Sequence, residues 1–380
     1  MSFAHGAPPR GRSDFGAADV LSLVIGNQQW EGWQRVRVTR AMDTVPASFD
    51  LQVTERYPTT GDISIKPGDP CQVKIGGDLV ITGYVDRYTA AISPAEHSVR
   101  IAGRSKSQDL VDCAAFVGSK DNENYRIMGG STLSIAQQLA QPYGVPISST
   151  AGDGVHIPYF NINLGETAWE IIDRITRYSQ LIAYDLPDGS VQLSQVSTKS
   201  MASGFRQGDN VEQAAVAFSM DQRFSVYEGF LLSTQAYLVD QQGFAPTAIV
   251  RDKGVPRFRK RIVISEQMHL GQPIVEQRTQ WEAKRRKARS YAVNVTCDSW
   301  RDAAGTLWDI NSLAPIELPA LKLGQETWLI GQVTFTRDEA GQHAAVTLMA
   351  KEAFAPEPMG DLQPAQILVQ DVERYNATKP

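Results

Sequence analysis

Residues 80–85, Val-Ile-Thr-Gly-Tyr-Val, and residues 99–102, Val-Arg-Ile-Ala, set the character of the chain. Both are short, rich in β-branched and aromatic residues, and apolar at alternate positions, the pattern of a strand with one buried face. Outward from them the pattern continues. Leu21, Leu23 and Ile25 alternate, as do Val36 and Val38, then Phe49, Leu51 and Val53, then Val73 and Ile75. Turn residues separate these runs. Pro67-Gly68, Asp69-Pro70 and Gly76-Gly77-Asp78 supply the φ angles that tight turns need. Repeated short strands at this spacing predict an antiparallel sandwich or barrel over residues 18–106.

The period changes after Ser107. Leu133, Ile135, Ala136 and Leu139 follow Ser131-Thr132 with largely helical spacing, and Gly144 suits a C-terminal cap. Trp169, Ile171, Ile172 and Ile175 repeat the arrangement, followed by a strand at 181–186 and a hairpin turn at Asp188-Gly189 leading to Val191, Leu193 and Val196. Residues 107–200 therefore read as a small α+β insert. Strand patterns return from Val211 through Glu228. A long, highly charged helix is expected over 273–289, followed by strands at 292–296, 328–335 and 344–348, and residues 201–355 form a second β module. Residues 1–17 and 356–380, rich in Gly, Pro and polar residues, read as extended arms.

The two β regions share an order of features. Phe49, Leu51 and Val53 compare with Tyr291, Val293 and Val295; Asp62-Ile63 compares with Asp309-Ile310. Ile81, Gly83 and Val85 compare with Leu329, Gly331 and Val333; Val99 and Ile101 compare with Val346 and Leu348. Shared alternation alone produces some of this likeness. The sharper reading is a duplicated barrel module with the α+β segment between the copies, and Gly83 and Gly331 at equivalent bends.

With 380 residues, 42% hydrophobic and 21% charged, the chain has ample apolar material for more than one core. A net charge of −5 argues against a dedicated nucleic-acid binder or an electrostatic membrane attachment. Cys71, Cys113 and Cys297 are too few and too far apart for a disulfide framework or a zinc site, so all three read as reduced and mostly buried. No apolar leader is seen near Met1 and no run approaches a membrane span.

Motifs that carry chemistry are missing. There is no GxSxG elbow, HExxH pair or P-loop. His5, His97, His156, His269 and His343 are isolated, and isolated histidines are more often surface groups than ligands. Asp121 and Glu123 resemble a glycosidase pair only in composition. Gly129-Gly130-Ser131 before a helix has the form of an anion site, although a turn with an N-cap explains it more plainly. Lys284-Arg285-Arg286-Lys287 with Arg289 has the charge to touch passing DNA, while a solvated or subunit-facing surface is the plainer reading. No residue is singled out as catalytic, cofactor-binding or metal-binding, and an enzyme is not expected.

Three runs carry a family resemblance: Thr82-Gly83-Tyr84-Val85-Asp86; Val99-Arg100-Ile101-Ala102-Gly103-Arg104-Ser105-Lys106; and Asp109-Leu110-Val111-Asp112-Cys113. A later series, Trp281-Glu282-Ala283, Arg289-Ser290, Tyr291 to Val295, Ser299-Trp300-Arg301, Leu307-Trp308 and Pro315, follows in order. Together, across most of residues 20–355, they resemble the baseplate hub proteins of Mu-type contractile phage tails. The resemblance implies two tail-tube-like barrels in a β-rich α+β chain. It also implies a homotrimer that contacts the tail spike protein, the tail tube protein and other baseplate proteins. On that reading the chain has no cofactor, no specific nucleic-acid binding and no membrane insertion, and acts in the virion tail baseplate after assembly in the host cytoplasm. A carbohydrate- or nucleic-acid-binding barrel at the tail tip, with Trp30, Trp33 and Tyr84 as a stacking face, is the competing reading, and a cell-wall hydrolase is a third.

Overall fold

The computed structural model describes residues 19–55, 65–92, 97–119, 122–127, 129–157, 160–231, 247–265 and 271–358. The chain is β-rich with few helices, and most of its strands join one 13-stranded sheet. The first unit contributes β1 (Leu21–Ile25), β2 (Arg35–Ala41), β3 (Ser48–Glu55), β4 (Pro70–Ile75), β5 (Asp78–Ile92) and β6 (His97–Ser105). Their spatial order is β1-β4-β5-β6-β3-β2, every pair antiparallel. Alternation decides which face is buried: Val36 and Val38 point into the core while Arg35 and Arg37 face out. The core pairs line up across the ladder, with Val38 opposite Phe49 and Leu51 opposite Ile101. Phe49 lies across Gly103, where an added Cβ would come within 2.5 Å of the ring. Only glycine lets the two strands keep this spacing.

The second unit is built in the same way. Its strands are β10 (Phe205–Arg206), β11 (Val211–Phe218), β15 (Tyr291–Cys297), β16 (Leu313–Leu318), β17 (Leu323–Asp338) and β18 (Gly341–Met349), with β12 to β14 in an insertion described below. They stand in the order β10-β16-β17-β18-β15-β11, the counterpart, strand for strand, of the first unit. The bulges recur too. Pairing slips between Val73 and Lys74 in β4–β5 and between Ile316 and Leu318 in β16–β17. It slips again at Asp86 in β5–β6 and at Gly331 in β17–β18. One detail differs: β1 runs antiparallel to β4, whereas β10 runs parallel to β16. Among the described residues the ladder stays open, and neither unit closes on itself.

This register corrects the residue pairing expected from sequence. Asp86, not Gly83, is the counterpart of Gly331; Tyr88 matches Val333, Ile101 matches Val346, and Leu51 matches Val295. Alternation repeats every two residues and a bulge adds one, so apolar spacing cannot specify the offset. The two glycines serve separate ends. A Cβ on Gly83 would meet the Arg104 carbonyl oxygen at 1.9 Å, and one on Gly331 would strike the Phe354 ring at 2.3 Å. Asp62-Ile63, compared above with Asp309-Ile310, lies outside the described residues.

The units meet through a further ladder, with the second half of β17 antiparallel to β2. Phe335 stands opposite Val38, both buried, and a single apolar cluster runs through both units. Fully burying one such side chain contributes roughly 1.5–3 kcal/mol. Thr39 and Thr334 face each other with their Oγ1 atoms 3.1 Å apart, and buried Arg40 reaches Asp309 at 2.6 Å.

Between the units lies the α+β segment: α1 (Thr132–Ala140), β7 (Ile147–Ser149), α2 (Ala168–Tyr178), β8 (Ile182–Asp185) and β9 (Val191–Ser194). Ser131 caps α1, accepting the Ser134 N–H. Thr167 and Glu170 form a reciprocal capping box on α2. Ile135, Leu139, Ile171, Ile172 and Ile175 give this segment a core of its own. Asp185 ties it to the first unit: one carboxylate oxygen accepts the Ala47 N–H at 2.8 Å and the hydroxyls of Ser105 and Ser107. A second insertion separates β11 from β15. Strands β12 (Val226–Leu231), β13 (Ala248–Arg251) and β14 (Lys260–Ser265) form a small sheet against the 19-residue helix α3 (Gly271–Arg289).

Two outcomes follow from this packing. Asp185→Ala leaves the Ala47 N–H and two buried hydroxyls without their acceptor, so denaturant unfolding is expected to show a loss of about 2–4 kcal/mol. Burial pushes the Cys71 and Cys297 thiols up to about 12; partial burial, with Asp109 and Asp112 nearby, raises Cys113 as well, but that residue is half-buried rather than enclosed, contrary to expectation. The thiolate is the reactive form. At pH 8 a maleimide is therefore expected to label Cys113 alone in the folded chain, and all three thiols only in denaturant.

Candidate assembly interface

Each unit carries one long strand that outruns its neighbour. In the second unit β16 covers only the first part of β17, and β2 of the first unit covers the rest. In the first unit β4 covers β5 only as far as Tyr84. Among the described residues the stretch from Arg87 to Ile92 has β6 on one side and no strand on the other. At the far end of the sheet β11 pairs β15 on one side and, apart from a bridge at Val211, has no strand on its other side among the described residues.

Both edges carry apolar side chains. Tyr88, Ala214 and Val216 pack partly against the main core, while Ile92 is 86% and Phe218 is 60% exposed. Phe218 stacks edge-on against Tyr291 at 5.6 Å. Bare, apolar strand edges are the feature that proteins normally cover or blunt with charge. Sequence reading ended this strand at Val85. The bulge at Asp86 shifts the alternation by one, so Tyr88, Ala90 and Ile92 fall out of phase with Ile81, Gly83 and Val85. The signal available was the continued run Tyr88-Thr89-Ala90-Ala91-Ile92, rich in strand-forming residues.

The basic run on α3 is largely engaged in packing. Arg286 bonds Glu282 at 2.7 Å and Gln222 at 2.9 Å. Arg285 and Arg289 both donate to the Ala353 carbonyl, Arg285 lies over the Trp281 ring at 5.1 Å, and Arg278 pairs with Glu357. Burial, with Arg289 beside it, pulls the Arg285 guanidinium below its ordinary range. Lys284 and Lys287 remain exposed. Arg285 and Arg289, with Trp169 and Arg177 of α2, border a cleft of about 450 Å³ that also includes Phe354.

The remaining singled-out residues do not converge. His156 lies beside Ser131 in a two-residue bridge pair, and His343 Nδ1 sits 2.6 Å from Glu212. The backbone of His97 pairs with Glu55 and Ile92. His5, His269 and Asp121 lie outside the described residues, and Glu123 is placed only through its backbone pairing with Gly118. Trp33 is buried, with its indole N–H donating to the Trp30 carbonyl, and Trp30 packs on the same core, so these rings do not form an exposed stacking face with Tyr84. Among the described residues no group of three or more His, Cys, Asp or Glu side chains is arranged to hold a metal. No described helix is long and apolar enough to cross a membrane.

Comparison with known proteins gives matches along most of the chain. Residues 20–105 match the family "Mu phage baseplate assembly protein GpP-like, N-terminal", 107–195 match "Baseplate hub protein gp44-like, second domain", and 272–357 match "Mu phage baseplate assembly protein GpP, fourth domain". The chain is 26% identical over 352 residues to the baseplate hub protein gp44 of Escherichia phage Mu, covering 89% of each. Its structure resembles the 43 kDa tail protein of prophage MuSo2 from Shewanella oneidensis, with TM-score 0.77, 26% identity, and coverage of 90% of this chain and 100% of that one. It shares a fold with the E. coli c3393 protein, described as a type VI secretion component structurally similar to T4 tail proteins gp27 and gp5, at TM-score 0.51 and 10% identity, covering 89% and 79%. The ordered matches along the chain and the resemblance over most of its length agree: the chain carries GpP- and gp44-like baseplate domains and is a homologue of the Mu baseplate hub protein gp44.

Proposed function

We propose that this protein is the structural hub of a contractile tail, joining a six-fold tail tube to a three-fold central spike as a homotrimer. The observation that carries the reading is the internal repeat. Two units with one strand order are joined edge to edge, so three copies present six near-equivalent modules while keeping three-fold symmetry. In this role the units act as tail-tube-like barrel modules. Residues 18–106 and 201–355 face the tube, and the 107–200 segment and α3 are available to other baseplate proteins. The arms expected at 1–17 and 356–380 lie, apart from residues 356–358, outside the described residues.

A hub of this kind works by shape and contact, with no reaction to catalyse. The mostly internal pairing of the α3 arginines supports a role in packing rather than in gripping DNA, and tight phosphate contacts would slow a molecule passing along a tail. Assembly takes place in the host cytoplasm, and the product resides in the virion baseplate.

Solution mass and particle imaging test the reading. The expected result is three copies, alone or with the spike, seen as a ring of six similar modules. A chain that stays single in the presence of its spike, or a ring of six copies, overturns it. Purified protein is also expected to leave peptidoglycan uncleaved; turbidity clearing that disappears on changing one carboxylate would establish an enzyme instead.

A further inference from the structure

The chain holds one finished joint and the two halves of another. In the finished joint, the overhanging half of β17 pairs with β2 in the register Val333–Arg40, Thr334–Thr39, Phe335–Val38 and Arg337–Val36. The counterpart of β17 is β5, and the counterpart of β2 is β11. Matching the bulges aligns Tyr88 with Val333. The ladder partners Val36–Leu51 and Ala214–Val295 align Val36 with Ala214. The open edges are therefore the two surfaces that the internal joint already shows fitted together.

We propose that Arg87–Ile92 of one copy pairs antiparallel with β11 of the next copy, in the register of the internal joint. Tyr88 then lies opposite Phe218, Ala90 opposite Val216, and Ile92 opposite Ala214. This pairing deepens the trimeric reading above and rests on it. Transferring the register puts all six of these apolar side chains on one face of the new ladder. Three of them, Tyr88, Ala214 and Val216, already pack against the main core, so the joint extends that core across the boundary between copies. The other face carries Arg87, Thr89 and Ala91 opposite Ser219, Ala217 and Ala215. No like charges are opposed, which pairing across strands would penalise. The contact is heterologous, with a different edge from each partner, so it propagates from copy to copy and forms a closed ring when the rotation returns to the start. Covering both edges removes an exposed template for uncontrolled association and supplies backbone partners in the manner of strand addition.

The internal joint also supplies the test. Thr39 and Thr334 have hydroxyls 3.1 Å apart, and their counterparts are Ala217 and Thr89. In a Cys113→Ser background, Thr89→Cys and Ala217→Cys are combined in the full chain. Mild oxidation is read on a non-reducing gel, with mass measured by light scattering on the same sample and in isolated baseplates. The expected result is a disulfide ladder of two and three linked chains ending at three. Thr39→Cys with Thr334→Cys should instead close within a single chain, showing that this strand geometry permits the bond. Moving one cysteine a single residue, to Val216→Cys, turns it to the other face and should abolish the ladder. Ile92→Asp, at a position 86% exposed in the single chain, is expected to reduce the mass from three copies to one without lowering the unfolding midpoint of the single chain. A three-copy assembly that stays unlinked while the internal control closes overturns the edge pairing and leaves the trimer standing. A single-copy mass in both preparations overturns the trimer and the pairing with it.

Discussion

The ladder between β17 and β2 is the contact on which the rest of the structure depends. Its strands are separated by almost the whole chain, yet their pairing converts two units into one sheet with one continuous apolar cluster. Val38 and Phe335 come from different units and are both nearly inaccessible. Removing this ladder would expose backbone donors and acceptors along both strands and open the core at its centre. The buried Arg40 guanidinium, held to Asp309 and to the Asp185 carbonyl, brings the α+β segment into the same region.

A sheet joined in this way cannot be symmetric in what it leaves exposed. Each unit has one strand that accepts a partner along its overhanging half and one outer strand that offers an edge. Joining the units within a chain consumes one of each and leaves one of each. The duplicated plan therefore produces both an internal contact and a complementary pair of free edges, with the first contact showing how the second fits. Insertions leave this plan intact because they enter at connections. Residues 42–47 link β2 to β3, whereas residues 219–290, with a small sheet and α3, link the corresponding strands β11 and β15. The longer connection is held by local polar contacts. A buried bidentate pair joins Arg223 to Asp252, the same guanidinium donates to the Tyr291 hydroxyl oxygen, and the α3 arginines bond the segment near Ala353.

The sequence by itself determined the kind of elements and most of their positions. Val36/Val38 and Phe49/Leu51 announced strands because a half-buried strand must alternate, and Ser131 announced a helix start because free N–H groups need acceptors. It also carried the family, through ordered motifs with no catalytic signature among them. Tertiary structure alone decided the register of the repeat, since a period of two cannot distinguish offsets and bulges such as those at Asp86 and Gly331 change its phase. It also decided the strand around Pro315, a residue with no N–H to give to a ladder. That residue lies opposite Thr327 on one side, while the ladder to β10 begins only at Ile316. Above all, it decided which edges are spent inside the chain and which remain open, because edge exposure depends on where distant strands stop and on nothing local to the residues concerned.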